Sequence, residues 1–91
     1  MKIIKIGAMW CPACIIVNKY YKELKNKYKD IEFIDLDIDL DDEEASVYNV
    51  GDILPVFIFF KNDKEIKRVI GEKTQDEIIK EIEGLISEKN N

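Results

Sequence analysis

The sequence has no histidine, and it has only two cysteines, two prolines and one tryptophan among its 91 residues. A tetrahedral zinc site needs about four ligands, and one cysteine pair without histidine does not complete such a site. The two cysteines, Cys11 and Cys14, lie too close in sequence for a bond between them to restrain the unfolded chain much. No apolar run approaches the roughly 20 residues that cross a bilayer. These absences exclude a zinc-centred fold, a disulfide-stapled scaffold and a membrane-spanning protein.

The composition is typical of one soluble domain that extends from residue 1 to residue 91. Hydrophobic residues make up 46% of the chain and charged residues 36%, a mixture that can bury a modest core. The net charge is -5 and no basic patch could neutralise a run of phosphates, so we expect no nucleic-acid partner. Lys5 interrupts the apolar start and no convincing cleavage site follows it, so we expect a cytoplasmic protein without a signal peptide. A monomer is the expected state.

Four short segments carry the pattern of β-strands. Alternation and β-branched content predict them at Lys2–Ile6, Ile31–Ile38, Val56–Phe60 and Glu65–Ile70. The third is almost purely apolar, so we expect it to be buried on both faces. The segment Lys61–Lys64 predicts a turn, because Asn and Asp tolerate the left-handed backbone region.

Three segments carry helix signals. The first helix begins at Cys11, with Pro12 in the first turn, where a missing N–H costs nothing. Its buried stripe is predicted to contain Ile16, Val17, Tyr20, Tyr21, Leu24 and Tyr28. The acidic run Asp41–Glu44 predicts the start of a short helix that ends near Tyr48. Thr74 and Glu77 form a capping-box pattern before the last helix, and residues 88–91 are expected to fray.

The predicted order is β-α-β-α-β-β-α, which indicates the α/β class. The first βαβ unit predicts a parallel strand pair with a right-handed crossover, and the final ββα unit predicts an antiparallel pair. We therefore expect one four-stranded mixed sheet with helices on both faces.

The pattern Trp10-Cys11-Pro12-Ala13-Cys14 lies at the junction of the first strand and the first helix. Cys11 is at the helix N-terminus, where unpaired backbone N–H groups and the helix dipole favour a thiolate. Cys14 is one turn further along, so its sulfur comes beside that of Cys11 and the pair can close a disulfide. The spacing predicts thiol–disulfide exchange, in which Cys11 attacks a substrate disulfide and Cys14 resolves the mixed disulfide.

Two motifs in this order resemble the thioredoxin superfamily. The first is WCPAC at the start of a helix that follows an N-terminal strand. The second is YNVGDILPVFIFFKNDKEIKRVIG, residues 48–71, which is similar to the family's succession of Tyr, Gly, Ile, Pro, strand, turn, strand and Gly. The likeness covers nearly the whole chain and lacks only the additional N-terminal strand and helix of longer thioredoxins. It implies a thioredoxin-like fold for the predicted β-α-β-α-β-β-α order.

The resemblance also implies roles for individual residues. Cys11 corresponds to the attacking cysteine and Cys14 to the resolving one. Pro55 falls on the family's cis-proline opposite the cysteines, and Leu54 before it would offer backbone groups to an extended substrate segment. The same substrate-binding surface would be completed by Trp10, Pro12, Ile53 and Gly71.

Two departures from the family pattern concern charge and redox direction. The family's buried acid falls on Lys5, and the lysine that neighbours that acid falls on Asp35, so we expect a charge pair with its signs exchanged. An ammonium near Cys14 would favour its thiolate, and Asp35 would limit the cost of burying Lys5. The dipeptide Pro12-Ala13 replaces the Gly-Pro of thioredoxins, and a proline in that first position is found in glutaredoxins.

The leading interpretation is a thioredoxin-like enzyme that reduces protein disulfides and is itself reduced by a flavoprotein of the thioredoxin-reductase type. One alternative is a glutaredoxin-like oxidoreductase that uses glutathione. The other alternative is a thioredoxin-fold binding module whose cysteines turn over little. We expect no bound cofactor and no metal, because the Cys11–Cys14 disulfide itself would carry the electrons.

Overall fold

The computed structural model describes residues 1–88, with only the backbone of Glu88 included. Residues 89–91, the end of the segment predicted to fray, lie outside the described residues. The elements in chain order are β1 (Lys2–Gly7), α1 (Pro12–Lys27), β2 (Glu32–Asp37), α2 (Asp42–Ser46), β3 (Val56–Lys61), β4 (Lys64–Ile70) and α3 (Gln75–Glu88). The predicted order is confirmed, and most boundaries move by one or two residues.

The four strands form one mixed sheet in the order β2-β1-β3-β4. β1 is parallel to β2 and antiparallel to β3, and β3 is antiparallel to β4. This arrangement confirms the predicted parallel βαβ unit and the predicted antiparallel hairpin. β1 is a central strand of the sheet. The loop that follows it therefore lies near the middle of the sheet, at the end where β1 finishes, and α1 begins there.

Both faces of the sheet are covered, as predicted. On one face, α1 and α3 pack through a cluster that includes Val17, Tyr21, Leu24, Ile78 and Ile82 together with Ile3, Phe57 and Phe59 from the strands. On the other face, Ala45 of α2 packs with Ile4, Ile6, Val56 and Ile58. The alternate residues of β3 thus enter opposite clusters, which confirms that this strand is buried on both faces.

One predicted core position is wrong. Ile16 of α1 is 51% exposed, whereas the buried face of the helix is formed by Cys14, Val17, Tyr20, Tyr21 and Leu24. The prediction placed Ile16 in a row of residues spaced by four. Such a row drifts by about 40° per step around a helix of 3.6 residues per turn, so Ile16 lies about 80° from Leu24.

The local turn and cap signals are confirmed. Asn62 and Asp63 have φ values of 53° and 65°, which close the tight hairpin between β3 and β4. The backbone N–H of Thr74 donates to Glu77 Oε1 at 2.9 Å, and the N–H of Glu77 donates to Thr74 Oγ1 at 3.2 Å. This reciprocal pair is the predicted capping box at the start of α3. Between residues 1 and 88, no helix has the length and apolar composition that crossing a membrane requires.

Candidate active site

The first turn of α1 brings the two cysteines together. Cys11 is the N-cap residue with extended backbone angles, and Pro12 follows as the first helical residue. The backbone N–H of Cys14 donates to Cys11 Sγ at 3.3 Å, in the manner of a capping side chain. Both residues are buried and both are free thiols. The site therefore directs a helix N-terminal N–H at the sulfur of Cys11, which is the contact that a thiolate needs.

Cys14 lies deeper than Cys11, against the end of β1. A Cβ atom at Gly7 would lie 2.9 Å from Cys14 Sγ, so only glycine allows the strand to approach this closely. Burial raises the pKa of Cys14 to about 11, and the hydrogen bond with Cys11 adds to the rise. A backbone hydrogen bond with Ala8 and the charge of Lys5 act in the opposite direction on this pKa. Cys14 is therefore held as a thiol near neutral pH.

The segment before β3 lies opposite the cysteine pair. The Leu54–Pro55 peptide bond is cis, and the carbonyl oxygen of Leu54 lies 4.0 Å from Cys11 Sγ. The backbone N–H of Gly71 donates to the carbonyl oxygen of Pro55 at 2.8 Å. Gly71 has a φ of 95°, a conformation that other residues rarely adopt, so the break after β4 requires glycine. The structure thus brings Leu54, Pro55 and Gly71 together beside Cys11.

Exposed apolar side chains flank the pair. Trp10 is 64% exposed and Ile53 is 61% exposed, and Pro12 also faces solvent. The indole N–H of Trp10 donates to Asp39 Oδ2 at 2.7 Å, which anchors one end of the ring. Sequence reasoning missed Asp39, because the two residues are 29 positions apart and no local pattern links them.

Lys5 of β1 lies under the site and contacts two other elements, β2 and α1. It is only 1% exposed. Its Nζ lies 3.1 Å from Asp35 Oδ2, donates to Asn18 Oδ1 on α1, and lies 4.9 Å from the centre of the Tyr21 ring. The predicted pair of Lys5 and Asp35 is therefore present as an ion pair between neighbouring strands. Asn18 was missed, although its position four residues after Cys14 places it on the same side of the helix.

A cleft of about 290 Å³ opens beside Cys14. Its lining includes Lys5, Cys14 and Asn18 together with the carboxylates Asp35, Asp37 and Asp41. In the described part of the chain, no three cysteine or acidic side chains come together as metal ligands. The cleft gives the Cys14 sulfur and the Lys5 ammonium a shared route to water.

Comparisons with known proteins find relatives of this chain both in sequence and in structure. The thioredoxin family model matches residues 1–84. Thioredoxin H2 from Arabidopsis thaliana is 32% identical over 83 residues, which are 91% of this chain. Thioredoxin f2, in a crystal structure of its complex with ferredoxin:thioredoxin reductase, superposes with a TM-score of 0.81 and 27% identity over 92% of this chain and 76% of that chain.

A structural neighbour of the same length supports the fold alone. Thioredoxin 1 from Thermosipho africanus covers 100% of both chains with a TM-score of 0.86 at 22% identity. The curated relatives are longer: the chain spans 61% of the length of Arabidopsis thioredoxin H2 and 54% of the length of thioredoxin H5 from Oryza sativa.

Proposed function

The chain belongs to the thioredoxin family, and from this premise we propose that it is a thiol–disulfide oxidoreductase that reduces protein disulfides. The observation that carries the proposal is the cysteine pair in one helical turn, with the Cys14 N–H directed at Cys11 Sγ at 3.3 Å. That geometry supports a nucleophile at Cys11 and a second thiol within reach of it.

The proposed reaction has two steps. The Cys11 thiolate attacks a substrate disulfide, forms a mixed disulfide and expels one substrate thiolate. Cys14 then loses its proton and attacks Cys11 Sγ, which closes the Cys11–Cys14 disulfide and releases the second substrate thiolate. The raised pKa of Cys14 supports this order, because Cys14 remains a thiol while Cys11 attacks.

The substrate is proposed to bind as an extended segment across the loop that contains Pro55. The backbone of Leu54 beside Cys11 Sγ supports this mode, because backbone groups there can pair with an added strand. The exposed side chains of Trp10, Pro12 and Ile53, together with the Gly71 backbone, would contact the residues that flank the substrate disulfide.

Electrons are proposed to reach the pair from a reductase rather than from a bound cofactor. A thioredoxin-reductase-type flavoprotein remains our candidate donor, and glutathione is the alternative. The Arabidopsis relative and the matching family are thioredoxins, which supports the dithiol reductant over a glutaredoxin-like enzyme. Such a reductant works in a compartment that keeps thiols reduced, such as the cytoplasm.

Two single-cysteine variants test the roles of the cysteines. With an insulin substrate, Cys14→Ser should accumulate a covalent adduct through Cys11, because the resolving thiol is gone. Cys11→Ser should form no adduct and should reduce no insulin. Mass spectrometry of the non-reduced protein gives the measurement, and wild type is the control for turnover. Equal insulin reduction by Cys11→Ser and wild type would overturn the proposal.

The reduction potential of the pair separates the dithiol reductant from its alternatives. Equilibration against glutathione buffers should give a value near the thioredoxin figure of about -270 mV. A value of roughly -200 mV or higher would instead support the glutaredoxin-like alternative that uses glutathione. A wild-type protein that forms the disulfide but reduces no insulin would support the binding module.

A further inference from the structure

Lys5 is the only charged residue in the described part of the chain that is buried. Burying an ammonium is costly unless close partners offset the loss of hydration. Its charged partner, Asp35, has a side chain that is half exposed, so that ion pair is only partly protected from water. An apolar residue at this position in β1 would be expected to serve stability as well or better. The position therefore suggests a use for the charge.

The surroundings of Cys14 point to that use. Lys5 and Cys14 line the same cleft, and the charge of Lys5 favours the Cys14 thiolate. The other titratable groups around Cys14 are Cys11 on its own helix, and the carboxylates of Asp35, Asp37 and Asp41. Among these groups Lys5 alone is cationic. No carboxylate there could favour a second negative charge nearby.

We propose that the ammonium of Lys5, positioned by Asn18 and Asp35, stabilises the Cys14 thiolate that forms when this residue resolves the mixed disulfide at Cys11. The inference rests on the proposed function. It adds that the positive charge of Lys5 activates the resolving cysteine electrostatically. Lys5 and Asn18 are positioning residues in this scheme, because neither touches the substrate.

The proton transfers and bond changes in the resolving step define what Lys5 contributes. The Cys14 thiol gives its proton to water in the cleft, and its thiolate attacks Cys11 Sγ. The bond between Cys11 and the substrate sulfur breaks, and that sulfur leaves as a thiolate that takes up a proton from solvent. The ammonium keeps its own proton throughout, so it supplies charge and not general-base catalysis.

The mixed disulfide is the state in which Lys5 matters most. In the reduced protein, the hydrogen bond and the charge of Cys11 both raise the pKa of Cys14. These two contributions vanish once Cys11 is bonded to the substrate, and burial then remains to oppose ionisation. The backbone hydrogen bond with Ala8 and, to a smaller extent, the charge of Lys5 are the contributions that lower this pKa, and Lys5 is the one of the two that supplies a full charge.

A two-phase reaction with dithiobis(nitrobenzoate) tests the inference. The first phase is the attack of Cys11 on the aromatic disulfide, and the second is the attack of Cys14, which releases a second coloured thiolate. In stopped flow, Lys5→Met should slow the second phase about threefold near neutral pH, because the fraction of Cys14 present as thiolate falls while the less acidic thiolate becomes a better nucleophile. The first phase should change much less.

The matched control is Lys2→Met, which removes the same charge from the same strand. Lys2 Nζ lies 4.8 Å from the centre of the Phe60 ring, away from the cysteine pair, so both phases should match wild type. Asn18 occupies an exposed position of α1 and accepts the hydrogen bond from Lys5. Asn18→Leu removes this acceptor and should slow the second phase about twofold. This variant keeps the test decisive if Lys5→Met does not fold.

The pH profile of the second phase separates charge from structure. Loss of the ammonium should move the midpoint of the profile to higher pH in Lys5→Met, whereas a merely structural defect would lower the rate at every pH. An unchanged midpoint in Lys5→Met, or an unchanged second phase in Asn18→Leu, would overturn the inference about Lys5. The proposed function would still stand in that case, provided that the wild-type protein reduces disulfides. Absence of a second phase in wild type would instead overturn the proposed function itself.

Discussion

At the scale of single residues, Gly7 sets how close Cys14 can lie to the sheet. A Cβ atom there would meet Cys14 Sγ at 2.9 Å and Cys14 Cβ at 3.3 Å, and both residues are buried. Gly7→Ala should therefore displace Cys14 and lower the free energy of unfolding by about 1–3 kcal/mol, as overpacking does. It should also slow closure of the disulfide after Cys11 has reacted.

Urea denaturation of the reduced protein and the two-phase kinetics measure these two effects. Gly51→Ala is the matched control, because nothing lies within 4 Å of a Cβ atom at that position. A Gly7→Ala protein as stable as Gly51→Ala would show that Cys14 has room to move, contrary to the close approach described.

The sequence predicts single residues well where the signal is local. The helix start, the proline in the first turn and the spacing of Cys11 and Cys14 follow from a few adjacent positions. The burial of Lys5 was implied only by the family resemblance, because alternation in a short isoleucine-rich strand does not determine which face a lysine occupies. Asn18 and Asp39 were missed, since their contacts with Lys5 and Trp10 exist only once distant segments meet.

At the scale of elements, the capping box stabilises the N-terminus of α3. The backbone N–H of Glu77 donates to Thr74 Oγ1, and the pKa of Glu77 lies below its usual value because its carboxylate accepts hydrogen bonds from Thr74. Thr74→Ala should lower the free energy of unfolding by about 1 kcal/mol. Chemical denaturation measures the change, with Ser87→Ala in the exposed last turn of the same helix as the control.

The expected change for Ser87→Ala is within about 0.5 kcal/mol, as for most exposed positions. If both variants lost the same stability, the cap would contribute nothing beyond an ordinary surface residue.

The elements themselves were predictable because periodicity and end signals agree along most of the chain. The hairpin at Asn62 and Asp63 and the apolar strand β3 are the strongest examples. The exposed Ile16 shows the limit, because spacing alone does not fix the centre of a helix's buried face. α2 ends at Ser46 rather than near Tyr48, since a helix of five residues has no apolar stripe to mark its end.

At the scale of the whole molecule, the sheet order was predictable in outline. A βαβ unit followed by a ββα unit leaves few right-handed, unknotted arrangements. The placement of β1 between β2 and β3 still required the structure, because the sequence specifies which strands pair in each unit and not how the two units join. The site lies where they join: Lys5 on β1 pairs with Asp35 on one side, while Pro55 precedes β3 on the other.

At alkaline pH, the stability of the whole domain depends on buried cysteine and tyrosine side chains that keep their protons in the folded state. Burial raises the pKa of Cys14 from 9.0 to about 11 and that of Tyr20 from 10.0 to about 12, and it raises the pKa of Tyr21 further. Between the ordinary and the raised values, the unfolded chain has lost protons that the folded chain retains. The free energy of unfolding therefore falls as pH rises above about 9, by up to about 1.4 kcal/mol per pH unit for each such group.

The redox state should move the start of this decline. In the reduced protein it begins near the ordinary pKa of a cysteine, 9.0, whereas in the oxidised protein Cys14 has no proton to lose and the decline begins near the ordinary pKa of tyrosine, 10.0. Urea denaturation of both forms from about pH 8 to about pH 11, followed by circular dichroism, gives the two curves. Tyr21→Phe is the control for the contribution of the tyrosines. It should make the fall in the free energy of unfolding above about pH 10 less steep in both the reduced and the oxidised protein. Curves that start to fall at the same pH would mean that Cys14 titrates alike in the folded and unfolded chains, and its burial would then impose no cost on the thiolate.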